Sequence, residues 1–441
     1  MRGRWFLSYY YGTFKKLNRL MKNLHMNRVD LVEHQNKCLR RVVRHAYDSV
    51  PFYRRKYDEV GVKPEEIKTV EDLSKLPIIS KSEIRQNTND VISSDYSVES
   101  LRVLSTSGST GQPLKVYISK EEDGFRKAKH LRANLSCGHK FSNRWLTVTS
   151  PSHFSEVSGI QKRLRFYSPK FVSVFWDVDK QLSVIREFKP EVLDGYSSSL
   201  SLLAREVRKK GVSGINPRII FGGAEWIDDV SRNVIEEVFK APFYDQYATI
   251  EFERMAWQCS ERSGYHIDAD SLIMQAVDAD GTEVAVGESG EIVCTSFFNF
   301  AMPLIRYKVG DFGVFSDEDC PCGRTLPMLK RIEGRSDSLL VLPSGRVLSP
   351  RTITVAMGSF RFNKYVEQFR IVQYKKDNVE IVLKLESSFK DRNVVERDIL
   401  THFKNMLGLS EEDSVVFGVV FVDDMPLNTQ GKLKIVESKI D

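Results

Sequence analysis

Residues 105–111 read Ser-Thr-Ser-Gly-Ser-Thr-Gly, five hydroxyl side chains and two glycines, and Pro113 ends the run. Small residues let backbone N–H groups converge on an anion, while serine and threonine hydroxyls add donors without bulk. Gly108 and Gly111 permit the positive φ that such a nest needs. A triphosphate is the guest that suits a loop of this kind. It is not the common nucleotide loop, because no Gly-Lys-Ser/Thr follows at the required spacing. Surface turns have a similar composition, so the loop by itself leaves both readings open.

A second constellation lies downstream. Cys259 and His266 are seven residues apart, and Cys320 and Cys322 flank Pro321. Three thiolates and an imidazole are the donor set that tetrahedral structural zinc selects. Cys-x-Cys is tighter than the usual Cys-x-x-Cys, and buried free thiols are the competing reading. Cys38, Cys137 and Cys294 read as packing residues. The short apolar run near the N-terminus is followed by no small-residue cleavage site, so residues 1–12 are expected to be mature structure. Six cysteines without an export signal then point to a reducing cytoplasm.

These residues need a scaffold. At 441 residues the chain calls for two or more domains, and 41% hydrophobic with 28% charged residues is the composition of a globular protein. Up to about residue 335 helical and strand patterns alternate. Strands are expected at 144–151, 170–176, 191–197, 217–225 and 241–248, with a helix at 199–211 closed by Gly211. That alternation predicts an α/β body with a largely parallel sheet. Residues 265–278 and 289–298 read as antiparallel strands. Beyond Arg335 a β-β-α-β unit follows, whose helix sets Val395, Ile399, Leu400, Phe403 and Leu407 on one face.

The net charge of +6 is concentrated at the start, where fourteen Lys and Arg residues from Arg2 to Lys56 face only Asp30, Glu33 and Asp48. Trp5, Phe6, Tyr9, Tyr10, Tyr11 and Phe14 are mixed among them. Such a segment suits an anionic membrane surface. A pair of helices with aromatics packed on the body and charges in solvent is the plainer reading. No nucleic-acid motif accompanies the charge, so no nucleic-acid partner is expected.

Five further blocks give the first loop its meaning. FGGAEW (221–226), YATIE (247–251), PLIRYKVGD (303–311), GRSD (334–337) and LNTQGKLK (427–434) follow in order. With the Ser/Thr/Gly loop, this set resembles the adenylate-forming enzymes, the superfamily of acyl–coenzyme A synthetases and firefly luciferase. GYHIDAD, GESGEIVCT, MPLIRY, CPCGR and GRSDS are most similar to the phenylacetate–coenzyme A ligases. HAYDSVPFYRRKY and LPIISKSEIR fit their relatives in capsular polysaccharide biosynthesis.

The resemblance implies a large N-terminal α/β domain of adenylate-forming type, with parallel and mixed sheets flanked by helices and a small β-barrel-like part. A small mobile α+β C-terminal domain would follow. The expected divisions are a basic helical region at 1–90, the core at 91–335 and the mobile domain at 336–441. The implied activity joins a carboxylate to the α-phosphate of ATP, expels pyrophosphate, and passes the acyl group to coenzyme A or to an amine or hydroxyl of a sugar. Ser105, Thr106, Ser107, Gly108, Ser109, Thr110 and Gly111 would hold phosphates. Gly222, Gly223, Ala224, Glu225, Gln246, Tyr247, Ala248 and Thr249 would line the adenine site of ATP or AMP, and Asp311 would accept the ribose hydroxyls.

Glu251 would ligate Mg²⁺. Arg335 would contact ribose or phosphate, Asp337 would be the hinge, and Lys432 would neutralise charge at the reacting carboxylate. His153, Tyr196 and Trp226 fall where the family has its substrate pocket. The Cys259, His266, Cys320 and Cys322 pattern matches one that some members use for Zn²⁺. Two departures stand out: Pro113 is followed by Leu114 and only then Lys115 where the family's phosphate loop usually runs Pro-Lys, and YATIE has Ala248 for a glycine and Ile250 for the Ser/Thr whose hydroxyl normally meets the adenylate phosphate. Losing one such donor costs about 2–4 kcal/mol of transition-state stabilisation, so a slow enzyme, or an inactive nucleotide-binding or scaffold protein of glycan assembly, is the alternative. The expected location is the cytoplasm, at the inner face of the membrane if the basic segment binds lipid.

Overall fold

The expected strands form where apolar runs meet turn signals: Trp145–Thr149, Lys170–Ser173, Val192–Tyr196, Ile219–Gly223 and Phe243–Thr249. The helix Ser197–Lys210 ends at Gly211, which takes the left-handed conformation (φ 63°) that a C-cap requires. The computed structural model describes residues 2–106, 113–155, 157, 159–164, 167–225, 227–335, 338–387, 389, 391–428 and 432–440, with backbone alone for 2–9, 160 and 164.

The chain divides into two compact units, each built from two separate stretches: residues 1–138 with 246–331, and residues 139–245 with 332–441. In the first unit, Leu17, Leu20 and Leu24 are buried, as are Leu31, Leu39, Val42 and Val43 of the helix Arg28–Ser49. The expected helix pair is present, but leucines rather than all the aromatics make the contact. Tyr11 is 74% exposed, and Trp5, Phe6 and Tyr9 have no described side chains. Antiparallel strands Leu272–Val277, Ser289–Ser296 and Tyr307–Ser316 pair in sequence. Glu253–Trp257 and Tyr265–Ile267 pair likewise, and Met328 faces His266.

In the second unit Lys170–Ser173, Trp145–Thr149, Val192–Tyr196 and Ile219–Gly223 lie side by side, all parallel. Helices Val178–Phe188, Ser197–Lys210 and Asp229–Phe239 share a core with them through Leu182, Leu200, Leu203 and Ile235. Its later stretch forms a four-stranded sheet in the order Val416–Phe421, Asn378–Leu385, Val366–Lys375, Val436–Ser438. The helix Arg392–Met406 packs Val395, Ile399 and Phe403 into this sheet's core. The expected β-β-α-β order is therefore completed by one more short strand, which pairs parallel to Val366–Lys375.

The helix Lys120–Ser136 of the first unit begins with a capping box between Ser119 and Glu122. Glu122 is 3% exposed and also accepts the Ala301 N–H at 3.4 Å. Burial pushes its carboxyl pKa up from 4.5 to about 7. The folded value lies above the unfolded one, so this group's stabilisation is complete below pH 4.5 and is lost as pH rises through 7. Between those limits the loss is about 3 kcal/mol. Glu122→Gln is expected to flatten the fall in urea midpoint over that window, and an unchanged slope would contradict the assignment.

Candidate active site and metal centre

The Ser/Thr/Gly loop has a fixed neck. Strands Arg102–Ser105 and Lys115–Ile118 pair with Ser105 opposite Lys115. Thr106 N–H donates to Leu114 O, and Leu114 N–H donates to Thr106 Oγ1, both at 2.9 Å. Ser107, Gly108, Ser109, Thr110 and Gly111 lie outside the described residues, as do Trp226 and Asp337.

In the first unit Tyr247 and Asp311 meet. The strand Phe243–Thr249 delivers Tyr247 and the strand Tyr307–Ser316 delivers Asp311; the phenol donates to Asp311 Oδ2 at 2.6 Å. A carboxylate braced on one oxygen keeps acceptor lone pairs on the other. Gln246 is buried, with its amide donating to Asn134 Oδ1 at 2.9 Å. Its amide nitrogen therefore serves the scaffold. Ala248 is exposed.

Glu251 is 6% exposed, and its Oε1 accepts from Tyr307 OH at 3.0 Å and from Lys81 Nζ at 3.2 Å. Lys81 opens the helix Lys81–Gln86, capped by Ser80 with Glu83. Sequence reasoning missed this lysine, although a phosphate loop without its own lysine was a signal to look for a cation elsewhere. A buried carboxylate with hard anionic oxygens, one of them oriented by these two donors, fits the oxygen chemistry of Mg²⁺. Thr249, the nearest hydroxyl to Ile250, is committed locally: its Oγ1 accepts the Phe252 N–H at 3.2 Å and contacts Met255 Sδ at 3.5 Å.

The second unit gathers another set. Tyr196 OH meets His153 Nδ1 at 2.9 Å, and Lys432 Nζ lies 5.2 Å from the Tyr196 ring centroid. Partial burial, with the Lys432 charge, holds His153 below its usual pKa. Lys432 Nζ donates to Ala224 O at 3.3 Å. Glu225 binds on both sides, accepting Ser198 N–H at 3.0 Å and Leu433 N–H at 3.2 Å. Gly222 has to be glycine, because a Cβ there would lie 2.0 Å from the Phe243 ring. Ala224 holds a left-handed φ of 65°. Arg335 is exposed at the end of the strand Met328–Arg335. The structure thus joins His153, Tyr196, Ala224, Glu225 and Lys432, residues from four separate sequence blocks.

The four expected zinc ligands converge. Cys259, His266, Cys320 and Cys322 offer donor atoms that all lie within 4.8 Å of one another. Cys259 Sγ and Cys320 Sγ are 3.5 Å apart, and Cys322 Sγ is 3.3 Å from His266 Nε2. A tetrahedron with metal–sulfur bonds of about 2.3 Å has edges near 3.8 Å, so the donors fit zinc with small adjustments. Burial holds His266 down to about 4, which keeps the imidazole neutral, and pushes Cys259 up to about 12. A coordinated thiol would be deprotonated by the metal. Ser263 Oγ donates to Cys320 Sγ at 3.3 Å, the kind of outer contact that orients a ligand.

The chain matches no protein-family model. It is similar to the phenylacetate–coenzyme A ligase of Thermus thermophilus, 28% identical over 362 residues that span 80% of this chain and 81% of that one. Protein CapK of Staphylococcus aureus is 24% identical over 466 aligned positions, spanning 99% and 93%. In three dimensions the chain is similar to 2-hydroxyisobutyryl-CoA ligase in its postadenylation state, with a TM-score of 0.80 at 21% identity over 95% of this chain and 91% of that one. At that identity the likeness establishes a shared fold.

Proposed function

We propose that the chain is a member of the phenylacetate–coenzyme A ligase family of adenylate-forming enzymes, in its capsular polysaccharide branch, and that it activates a carboxylic acid with ATP and transfers the acyl group to an acceptor. The observation that carries this reading is the Tyr247–Asp311 hydrogen bond in the same unit as the buried Glu251 carboxylate. Ser105, Thr106 and the loop after them bind the phosphates. Asp311 takes the ribose hydroxyls and Tyr247 covers the base. Glu251 is the residue that would hold Mg²⁺, which supplies charge neutralisation across phosphate oxygens.

The substrate carboxylate oxygen attacks the α-phosphorus; an O–P bond forms and the bond to pyrophosphate breaks. Lys432 neutralises the charge that accumulates on these oxygens, as its place beside Ala224 O and the Tyr196 ring suits it to do. The acceptor then attacks the acyl carbon and AMP leaves with its electron pair. His153 and Tyr196 border the acyl site. Coenzyme A is the acceptor supported by the phenylacetate–coenzyme A ligase relative, and an amine or hydroxyl of a sugar is the alternative implied by the sequence resemblance to capsular polysaccharide enzymes. Residues 336–441 act as the mobile domain, with Asp337 as hinge and Arg335 beside it.

Zinc at Cys259, His266, Cys320 and Cys322 is structural, since all four protein ligands leave no open position for chemistry. Among the described residues no helix is long and apolar enough to cross a membrane. The basic aromatic start of the chain suits contact with anionic lipid at the cytoplasmic face. Deleting residues 1–25 should weaken partitioning onto phosphatidylserine vesicles, and unchanged partitioning would count against that contact.

The local commitment of Thr249 favours one second reading, a nucleotide-binding protein with weak or no adenylation. Isotope exchange between ATP and pyrophosphate over a panel of carboxylates separates the two. Exchange with one acid supports the ligase; ATP binding without exchange for any acid supports the second reading.

A further inference from the structure

The turn that carries Glu251 is held from below by cations. The helix Lys120–Ser136 presents Arg126, Lys129 and Arg132 at three-residue spacing, 4%, 0% and 0% exposed. Arg126 Nη2 donates to Ile250 O and its Nη1 donates to Glu251 O at 3.2 Å. Lys129 Nζ donates to Phe252 O at 3.2 Å and sits 4.6 Å from the Phe298 ring centroid. Asn299 Nδ2 adds a second donor to Glu251 O at 3.1 Å. Three successive carbonyls therefore receive donors from outside the turn.

Neutral carbonyls can be satisfied by neutral donors, and burying a cation for that purpose is costly. Burial pushes the Lys129 ammonium pKa down to about 8, and its nearest carboxylate, Asp268, is 4.0 Å away. The next residue, Glu253, is in the left-handed region (φ 60°) and pairs with Arg126 at 3.7 Å and with His130 at 3.6 Å. A non-glycine residue holds such a conformation only where its surroundings over-determine it. Turn geometry, buried cations and strain coincide at the one carboxylate that also meets Lys81 and Tyr307.

We infer that Arg126, Lys129 and Asn299 are positioning residues for Glu251, fixing the carbonyls of residues 250–252 and so the backbone from which its carboxylate projects. The inference rests on the reading of Glu251 as the metal-holding residue. It gives the polar helix a task in the reaction without contact with substrate, and it assigns the role that loop sequence leaves open where Ile250 stands.

ATP binding followed by calorimetry, once with Mg²⁺ and once with EDTA, tests it on the full chain without any carboxylate. In Arg126→Gln and Lys129→Gln the gain in affinity that Mg²⁺ confers should shrink about tenfold, the usual effect of removing an outer-shell support, while the affinity in EDTA stays at the wild-type value. Arg126→Lys should recover part of the gain. Asn299→Ala, which removes one neutral donor and the acceptor of Ser296 Oγ but no charge, should fold even where the others do not, and should lose a smaller part of it. An undiminished Mg²⁺ gain in folded variants overturns the inference and leaves the proposed function standing. Absence of ATP binding by the wild-type protein overturns both.

Discussion

Lys432→Ala is expected to slow ATP–pyrophosphate exchange by about 10²–10³-fold, the scale set by removing one preorganised charge from a site of developing negative charge. Carboxylate and triphosphate repel one another, so adenylation depends on cations placed before the reaction begins. Lys432 is held by Ala224 O and by the Tyr196 ring, while Leu433 N–H anchors the same segment on Glu225. Transfer from a preformed acyl-adenylate does not bring a carboxylate against a triphosphate, so that half-reaction should be slowed far less. Full-rate exchange by the variant would remove Lys432 from the adenylation step. Equal slowing of both halves would show that the substitution had disturbed the unit as a whole.

Stripping zinc from the Cys259, His266, Cys320 and Cys322 cluster is expected to give the other large effect. Structural zinc contributes of order 10 kcal/mol where folding and binding are one event. Within a preformed unit a fraction of that remains, and about 4 kcal/mol would still lower Tm by about 10 °C. The four residues come from three places in the chain, and the loop that supplies two of them also receives the residues just after the N-terminal helix Arg2–Asn23. His25 Nδ1 meets Gly323 O at 3.1 Å, and Thr325 N–H donates to Leu24 O at 3.0 Å. Chelation or Cys320→Ser should therefore expose residues 24–26 to protease as well as lowering Tm. Protein isolated with far less than one zinc per chain and a melting curve indifferent to chelator would show that the thiols pack as free groups.

Much of this was legible in the sequence because its signals are local. The five strand runs, the helix stop at Gly211 and the β-β-α-β order near the C-terminus follow from periodicity and turn residues. The four members of the Cys/His cluster were identifiable from residue type. The helix Lys120–Ser136 was not legible in this way. Its text, KEEDGFRKAKHLRANLS, has the polarity of a solvent-facing helix, yet Arg126, Lys129, Arg132 and Asn134 are buried. Their distant partners, Glu251 and Phe252 for Arg126 and Lys129, Asp268 and Asp270 for Arg132 and Gln246 for Asn134, are more than a hundred residues away, and no local pattern announces them. Lys81 on Glu251 escaped for the same reason, at a separation of 170 residues. Conversely Gln246, read as a ligand contact from its place in a motif, turns its amide to Asn134.

That reach along the chain bears on how the protein is made. Asn23 Nδ2 donates to Asp270 Oδ2 at 2.8 Å across 247 residues, and Arg132 pairs with the same carboxylate at 2.8 Å. Each compact unit also needs a late stretch, 246–331 for one and 332–441 for the other. At about 5–20 residues per second of translation, the N-terminal helices wait some tens of seconds on the ribosome before Asp270 emerges to receive them. Their leucine faces, buried in the finished fold, are unsheltered throughout that interval. A chaperone or a membrane surface that engages nascent residues 1–56 would shield the protein before it has any chemistry to perform.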